Sequence, residues 1–397
     1  MKFLNSLEKK SLAGEICLLR MDLDIENTDL RGLNADSHRQ LPFRLEAALP
    51  TIKFLLERKT KVVILSHRGR PRSGIYADRR RKEFSLKPFV KILASLLKRP
   101  IYFIDFKNLT RLSLVRLKNV VRDSAPGAIF LLENLRFLKG EMENDKKFAK
   151  QLASLGSFYV NDAFGVSHRA NASVEAITHF LPSYAGLHME KELEKLNGLT
   201  KKAKRPFVII LGGSKTHDKL PLIKNLWNKA DYFLLGGGVA NTFFAAQGLL
   251  IGDSLRGDSA ELRGILRGIT RKELSRKVIL PVDVAIKDRK ILDIGPKTVK
   301  RFGEIIKKAK TIIWNGPMGL IEDPRFAKGS AEVARFISQS RAFSVVGGGE
   351  TTSLITNYQL PITKRNIFLS TGGGAMLEYL AGKKLPGIEV LKKSTVD

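Results

Sequence analysis

Eleven short apolar runs punctuate the chain, and each stops abruptly at glycine, proline or a polar residue. Ile16–Leu19, Val62–Leu65, Ile101–Ile104, Ala128–Leu132 and Phe158–Val160 precede residue 200. Phe207–Leu211, Tyr232–Leu235, Val278–Leu280, Thr311–Trp314, Phe343–Val346 and Ile367–Leu369 follow it. Segments long enough for helices separate most of them, among them Leu45–Lys59, Leu86–Leu97, Asp145–Leu155 and Thr298–Lys308. Apolar strands without a polar face, alternating with helices, predict parallel sheets covered on both sides. Two groups of strands in 397 residues predict two doubly wound α/β domains. Met189–Lys204, rich in Lys and Glu, reads as an exposed helix joining them.

Ligands of such sheets bind beyond the carboxyl ends of the strands. In the first half those ends are basic and polar: Arg20, His67, Arg70, Arg136, His168, Arg169. In the second half they are glycine-rich: Leu211–Lys215 (LGGSK), Leu235–Asn241 (LGGGVAN), Trp314–Gly319 (WNGPMG), Val346–Thr352 (VGGGETT) and Ser370–Ala375 (STGGGA). Arginines suit a small polyanion. Bare backbone amides at helix starts suit nucleotide phosphates. One glycine loop alone is more often a tight packing point, but five in one domain point to a phosphate site. Neither G-x-x-x-x-G-K-[ST] nor G-x-G-x-x-G occurs, which argues against P-loop and dinucleotide proteins.

Lys215 follows two glycines at a strand end, where a lysine supplies a point charge to a transferring phosphoryl group. Lys219, four residues on, shares its face if a helix begins there. Arg44 alone reads as a solvated charge at a helix start. His67 and His168 fit equally well as scaffold residues and as anion donors.

With one cysteine, Cys17, the chain forms neither an internal disulfide nor a cysteine zinc cluster, and a reducing cytoplasm fits best. No stretch approaches the roughly 18 apolar residues of a membrane span, and charges at Glu8, Lys9, Lys10 and Glu15 break any signal-peptide pattern. The net charge of +30 is the anomaly. It is diffuse: residues 1–183 carry 33 basic and 19 acidic side chains, and the remainder 36 and 20. Such an excess suits anionic substrates and weak, non-specific contact with polyanions. A dedicated nucleic-acid-binding protein would show a recognition motif or an aromatic basic platform, and neither is present.

These segments together resemble phosphoglycerate kinase over nearly the whole chain. The resemblance is carried by RMDLD (20–24), RLEAALPTI (44–52), SHRGRP (66–71), LLENLRF (131–137), YVNDAFGVSHRA (159–170) and KRPFVIILGGSK (204–215). It continues in GGGVANTF (236–243), LPVDVAI (280–286), LDIGPKT (292–298), WNGPMGLIE (314–322), FAKGS (326–330), GGGETTS (347–353) and STGGGAMLE (370–378). It implies two Rossmann-like domains, 1–184 for 3-phosphoglycerate and 205–384 for nucleotide, joined by a hinge helix over 185–204. The tail 385–397 is expected to return to the first domain. The implied activity is reversible phosphoryl transfer between ATP and the carboxylate of 3-phosphoglycerate, with Mg²⁺, by a cytoplasmic monomer that uses no membrane.

Carried over by position, Asp22, Arg44, His67, Arg70, Arg136 and Arg169 match the 3-phosphoglycerate site, together with their neighbours Leu23, Asp24, Arg68 and Gly69. Lys215 and Lys219 match phosphate-binding lysines, within a nucleotide site that includes Gly213 and Gly237. Asn315 and Pro317 fall at the adenosine pocket and Glu322 at the ribose. Gly348, Gly349, Glu350 and Thr351 match the phosphate and metal segment, with Glu350 as metal ligand. Gly373, within glycines 372–374, lies where the transferring group passes, and with Arg44 and Lys215 completes the expected catalytic set. Three positions depart from the family pattern: Asp24 where it has Asn, Arg68 where it has Leu, and Glu350 where it has Asp. They bear on substrate affinity and metal geometry rather than on reaction type.

Overall fold

The computed structural model describes residues 1–25, 41–71, 81–105, 111–357 and 366–393. It divides into two units, Met1–Glu192 with the segment from Lys384, and Leu193–Lys383.

The first unit is built on β1 (Ile16–Arg20), β2 (Lys61–Leu65), β3 (Ile101–Ile104), β4 (Ile129–Leu132), β5 (Phe158–Asn161) and β6 (Ser183–Ala185). They form one parallel sheet in the order β3-β4-β2-β1-β5-β6. Its two faces bury different clusters. Cys17, Leu19, Val62, Ile64, Ile129 and Leu131 pack on one side. Leu18, Val63, Leu65, Phe130 and Leu132 pack on the other. Successive side chains alternate across a strand, so two apolar faces require the unbroken runs read in the sequence.

The second unit contains β7 (Phe207–Leu211), β8 (Tyr232–Leu235), β9 (Val278–Ile279), β10 (Val284–Lys287), β11 (Lys290–Ile294), β12 (Thr311–Asn315), β13 (Phe343–Gly347) and β14 (Ile367–Ser370). Six of these form a parallel sheet in the order β14-β13-β12-β7-β8-β9. All eleven predicted strands are present, so the fold is the expected pair of α/β units. The antiparallel hairpin β10–β11 and the three-residue β6 were not anticipated. The hairpin turns at Asp288 and Arg289, both at positive φ (+49° and +60°). That is the backbone of a type I′ turn, but without the Asn-Gly pair that normally announces one.

The joining helix runs from Leu187 to Lys202, and it is not the fully exposed element expected. Met189, Leu193, Leu196 and Leu199 are buried along one face. The i, i+3, i+4 spacing of an amphipathic helix was masked by its many lysines and glutamates. Its first turn is anchored to the first unit: Asp162 Oδ1 accepts the amides of His188 (2.9 Å) and Met189 (3.1 Å), and Thr51 Oγ1 accepts that of Leu187 (3.1 Å). Near the C-terminus, the helix Pro386–Lys393 follows, and the Gly387 amide donates to Ser167 O at 2.9 Å. Residues 394–397 of the expected tail lie outside the described residues.

Candidate active site

In the first unit, the segments that follow β1, β2, β4 and β5 meet at one edge of the sheet. After β1, Asp22 Oδ1 accepts the Asp24 amide (3.0 Å) and its Oδ2 lies 3.6 Å from Arg44 Nη1. Arg44 sits at the start of the helix Phe43–Glu57, and its Nη1 donates to Asp24 O at 2.7 Å. Leu23 turns its side chain into the core and contributes only backbone here, its amide donating to Ser66 Oγ. Asp24 Oδ1 accepts the Gly69 amide at 2.7 Å, and Oδ2 stands 3.8 Å from His67 Nε2. Asp24 therefore ties the segment after β1 to the loop after β2.

His67 is buried, and burial holds its imidazole well below its ordinary pKa, reinforced by the charges of Arg20, Arg136, Arg44 and Arg169. It is neutral at physiological pH. Arg136 follows β4 in a turn capped by Asn134, and donates to Gly69 O at 2.6 Å. Burial, with Arg20 and Arg169 nearby, lowers Arg136 to about 10. Arg169 follows β5, half-buried, with Nε 3.1 Å from His168 Nε2. Arg70 is exposed.

Arg68 takes a different part. Its side chain is buried, donating to Ile25 O (2.9 Å) and Ser85 O (3.2 Å), with the guanidinium carbon 5.5 Å from the centre of the Phe89 ring. Burial lowers its pKa, and the Asp24 carboxylate is the largest opposing influence. Arg68 thus braces the loop, and the Asp24 carboxylate partly offsets the cost of burying its charge.

Three residues beyond the expected set organise this cluster. Arg20, the last residue of β1, is wholly buried; its Nε donates to Ser173 Oγ (2.9 Å) and its Nη2 lies 3.0 Å from His67 Nδ1. Ser173 Oγ in turn donates to Glu141 Oε1 at 2.7 Å. The one signal for Arg20 was a charge ending an apolar run. Glu141 and Ser173 carried none, because only folding brings them beneath β1.

In the second unit, the neighbouring strands β14, β13, β12, β7 and β8 place their five glycine loops side by side. The Gly213 amide donates to Pro317 O (2.6 Å) and the Gly238 amide to Gly213 O (3.0 Å). Gly237 lies at φ +50°, and a Cβ there would come 2.8 Å from Gly213 N, so only glycine permits this contact. Asn315 Nδ2 donates to Gly347 O (2.9 Å), and Thr351 Oγ1 accepts the Gly316 amide (2.8 Å). These bonds stitch the loops of β7, β8, β12 and β13 into one surface.

Lys219 is buried beneath them. A Cβ on Gly213 or Gly316 would lie 3.1 or 3.0 Å from its Nζ. Burial pushes Lys219 down to about 8, opposed by Glu350 and Asp218 and aided by Lys215. Lys215 and Glu350 are exposed, Glu350 in the first turn of the helix Gly349–Asn357. A Cβ on Gly349, Gly373 or Gly374 would meet nothing within 4 Å, so these glycines leave open space over bare backbone at two helix starts. Pro317 is buried, and Glu322 is exposed in the turn after β12.

Asp293, unanticipated, anchors that segment. Its Oδ2 accepts the Gly329 amide and its Oδ1 that of Ile294, both at 2.8 Å, while Leu320 N donates to Leu292 O. Burial raises its carboxyl to about 6.

A buried lysine under parallel glycine loops and a neutral histidine ringed by arginines are arrangements suited to anions in different ways, on separate units. Comparison with known proteins agrees. The family model for phosphoglycerate kinase matches residues 7–383. The chain is 39% identical to the phosphoglycerate kinase of Desulfosudis oleivorans, with 98% of this chain and 99% of the relative covered. It is 40% identical to that of Dictyoglomus turgidum, with the same coverage. Among solved structures, phosphoglycerate kinase from Coxiella burnetii aligns with a TM-score of 0.76 at 33% identity, covering 98% of both chains. The enzyme from Pyrococcus horikoshii aligns with a TM-score of 0.79 at 30% identity, covering 99% of both. With the profile, the sequence relatives and the fold in agreement across its length, the chain belongs to the phosphoglycerate kinase family.

Proposed function

We propose the following division of roles for the reaction of this family member. That reaction is reversible phosphoryl transfer between ATP and the carboxylate of 3-phosphoglycerate, giving ADP and 1,3-bisphosphoglycerate in glycolysis and gluconeogenesis. Arg70, Arg136 and Arg169 hold the phosphoglycerate, beside Asp22, Asp24 and Arg68 and the backbone of Leu23 and Gly69. Neutral His67 donates a hydrogen bond rather than a charge. The nucleophile is already a carboxylate, so no general base is needed. The barrier lies in bringing two anions together and steadying charge on the transferring group, which is positioning and electrostatics.

Lys219 and the amides of Gly213, Gly237, Gly348 and Gly349 receive the nucleotide phosphates, with Thr351 bracing the loop. Asn315, Pro317 and Glu322 border the adenosine. Lys215, Arg44 and the amides around Gly373 meet the transferring oxygens. The observation that carries this reading is Lys219, a cation held largely dry under glycine loops, where a phosphate restores its lost solvation.

Among the described residues no group of three His, Cys, Asp or Glu could by itself hold a metal. A lone exposed Glu350 suits a cation whose remaining ligands are water and phosphate oxygens, and we assign Mg²⁺ with the nucleotide. When bound it neutralises phosphate charge.

Because the two sets of residues belong to separate units, 1–184 and 205–384 must close about a hinge over 185–204, with the tail 385–397 on the first domain. The anchoring of the hinge helix by Asp162 and Thr51 supports this. Closure excludes water before transfer. No described helix is long and apolar enough to cross a membrane. We propose a cytoplasmic monomer, with weak, sequence-independent contact to polyanions from its +30 charge. A coupled spectrophotometric assay with ATP, 3-phosphoglycerate and Mg²⁺ tests the reaction; absence of turnover in the folded protein would overturn it.

A further inference from the structure

The strands of a parallel sheet all begin at one edge, and in the second unit that edge is basic. Arg341 precedes β13; Lys310 precedes β12, with Lys308 ending the helix before it; Lys204 precedes β7. Lys229 and Arg276 stand before β8 and β9, and all six are exposed. Backbone bonds hold these approaches together: Phe343 N donates to Lys310 O (3.0 Å), Lys310 N to Pro206 O (2.9 Å), and Asp231 N to Phe207 O (2.8 Å). Of the acids beside this row, Asp231 is already engaged by Arg205 at 2.8 Å and by the Phe207 amide at 2.7 Å, and Glu273 by the Thr270 amide and hydroxyl at 2.9 and 2.7 Å. Strands lie about 4.8 Å apart, so five consecutive starts make a strip about 19 Å long.

From this we infer that the strand-start edge of the second unit is a binding surface for a nucleic-acid backbone. This rests on the polyanion contact proposed above and gives it a location. Lysines in the last turn of a helix complement the helix dipole, which accounts for Lys308. It does not account for Lys204, Lys310 and Arg341, which stand in loops. The choice of partner is decided by the features that the strip lacks. None of the exposed large hydrophobic side chains among the described residues lies on it. A membrane-surface site needs apolar anchors, and a protein interface needs an apolar or aromatic centre. A hydrophilic, predominantly positive strip matches a phosphate backbone, one strand of which carries a charge about every 3.4 Å. Glycine loops and strip occupy opposite edges of the same sheet, so nucleotide and nucleic acid do not compete for one site.

The test uses the full-length protein and a labelled 20-base-pair duplex of mixed sequence, titrated from low to physiological salt. The wild type is expected to bind, with an affinity that falls steeply with salt. The quadruple variant Lys229→Gln, Lys308→Gln, Lys310→Gln, Arg341→Gln should bind at least tenfold more weakly at low salt. Its salt slope should be shallower by about 3 to 4, near 0.9 for each phosphate no longer neutralised. Its kinase activity should stay within twofold of the wild type. A control of equal charge change on exposed lysines of the first unit, Lys9, Lys10, Lys146 and Lys147 to Gln, should lose much less. Equal losses in the two variants, or no loss in the first, would overturn the strip while leaving polyanion contact standing. No wild-type binding at low salt would overturn both. Binding to anionic phospholipid vesicles but not to the duplex would overturn the choice of partner.

Discussion

The guanidinium of Arg20 faces Nδ1 of His67 at 3.0 Å, with both side chains buried. A guanidinium only donates, so Nδ1 accepts and the ring proton resides on Nε2. Nε2 points towards Asp24 and the arginine cluster. Glu141, through Ser173, holds Arg20 in that orientation. A buried cation thus sets which face of His67 can donate.

Ser173→Ala should test this relay. The change leaves Arg20 Nε and Glu141 Oε1 without their shared partner, at a stability cost of about 1–3 kcal/mol. With His67 less firmly held, KM for 3-phosphoglycerate should rise more than kcat falls. Thermal melting and steady-state kinetics read the two effects separately, and a ¹⁵N spectrum should show His67 losing its single tautomer. Unchanged KM and tautomer would assign the relay to stability alone.

Lys215 is exposed beside the glycine loops, and in the proposed division of roles it meets charge that develops only during transfer. Lys215→Ala should lower turnover on the order of 10²-fold or more, with little change in 3-phosphoglycerate binding. Near-normal turnover would remove it from the catalytic set.

Glu350 carries one methylene more than Asp at an exposed helix start. Mg²⁺ tolerates little distortion of its octahedron. Glu350→Asp should keep activity while moving the Mg²⁺ concentration needed for half-maximal rate, and Glu350→Ala should raise it further. Superimposable Mg²⁺ titrations for all three proteins would exclude a metal role.

Lys219 pays for its position in stability. Its pKa falls from 10.5 to about 8 on folding because the charged amine is buried. The unfolded chain therefore binds more protons between pH 8 and 10.5. The penalty is fully present below pH 8, and is relieved as pH rises towards 10.5. At about 1.4 kcal/mol per pH unit its upper bound is about 3.5 kcal/mol. Lys219→Met should raise the melting temperature of the ligand-free protein at pH 7, lose that advantage near pH 10, and bind nucleotide poorly. A melting temperature unchanged at pH 7 would mean that Nζ is better solvated than its burial indicates.

Asp24 places a carboxylate beside the proposed 3-phosphoglycerate site. Asp24→Asn keeps an oxygen to accept the Gly69 amide but removes the charge. KM for 3-phosphoglycerate should fall several-fold, most clearly at low ionic strength where charges are least screened. A rise in KM would show that the charge is needed to steady Arg68 and its loop.

Much of this protein was legible in one dimension. A strand covered on both faces must be apolar at every position, so runs such as Val62–Leu65 and Phe207–Leu211 declare a parallel sheet by themselves. Loops at strand ends of such sheets gather at one edge, so the clustering of Gly213 and Lys215, and of His67 and Arg136, could be anticipated by reading the residues just past each run. Local sequence determined those because the constraint is local. The hairpin at Asp288 and Arg289, and the buried face of the joining helix, gave weak signals for the same reason: their usual local markers are absent or diluted by charge. Tertiary structure alone decided the rest. That Arg68 braces a loop, that Glu141 and Ser173 orient Arg20 across more than 100 residues, and that Asp293 pins the segment after β12 all depend on which groups share a desolvated space. Composition assigns +30 to the chain as a whole, but only the common edge of five parallel strands gathers part of it into a row. Burial and proximity set protonation, orientation and field, and neither exists until distant segments have packed.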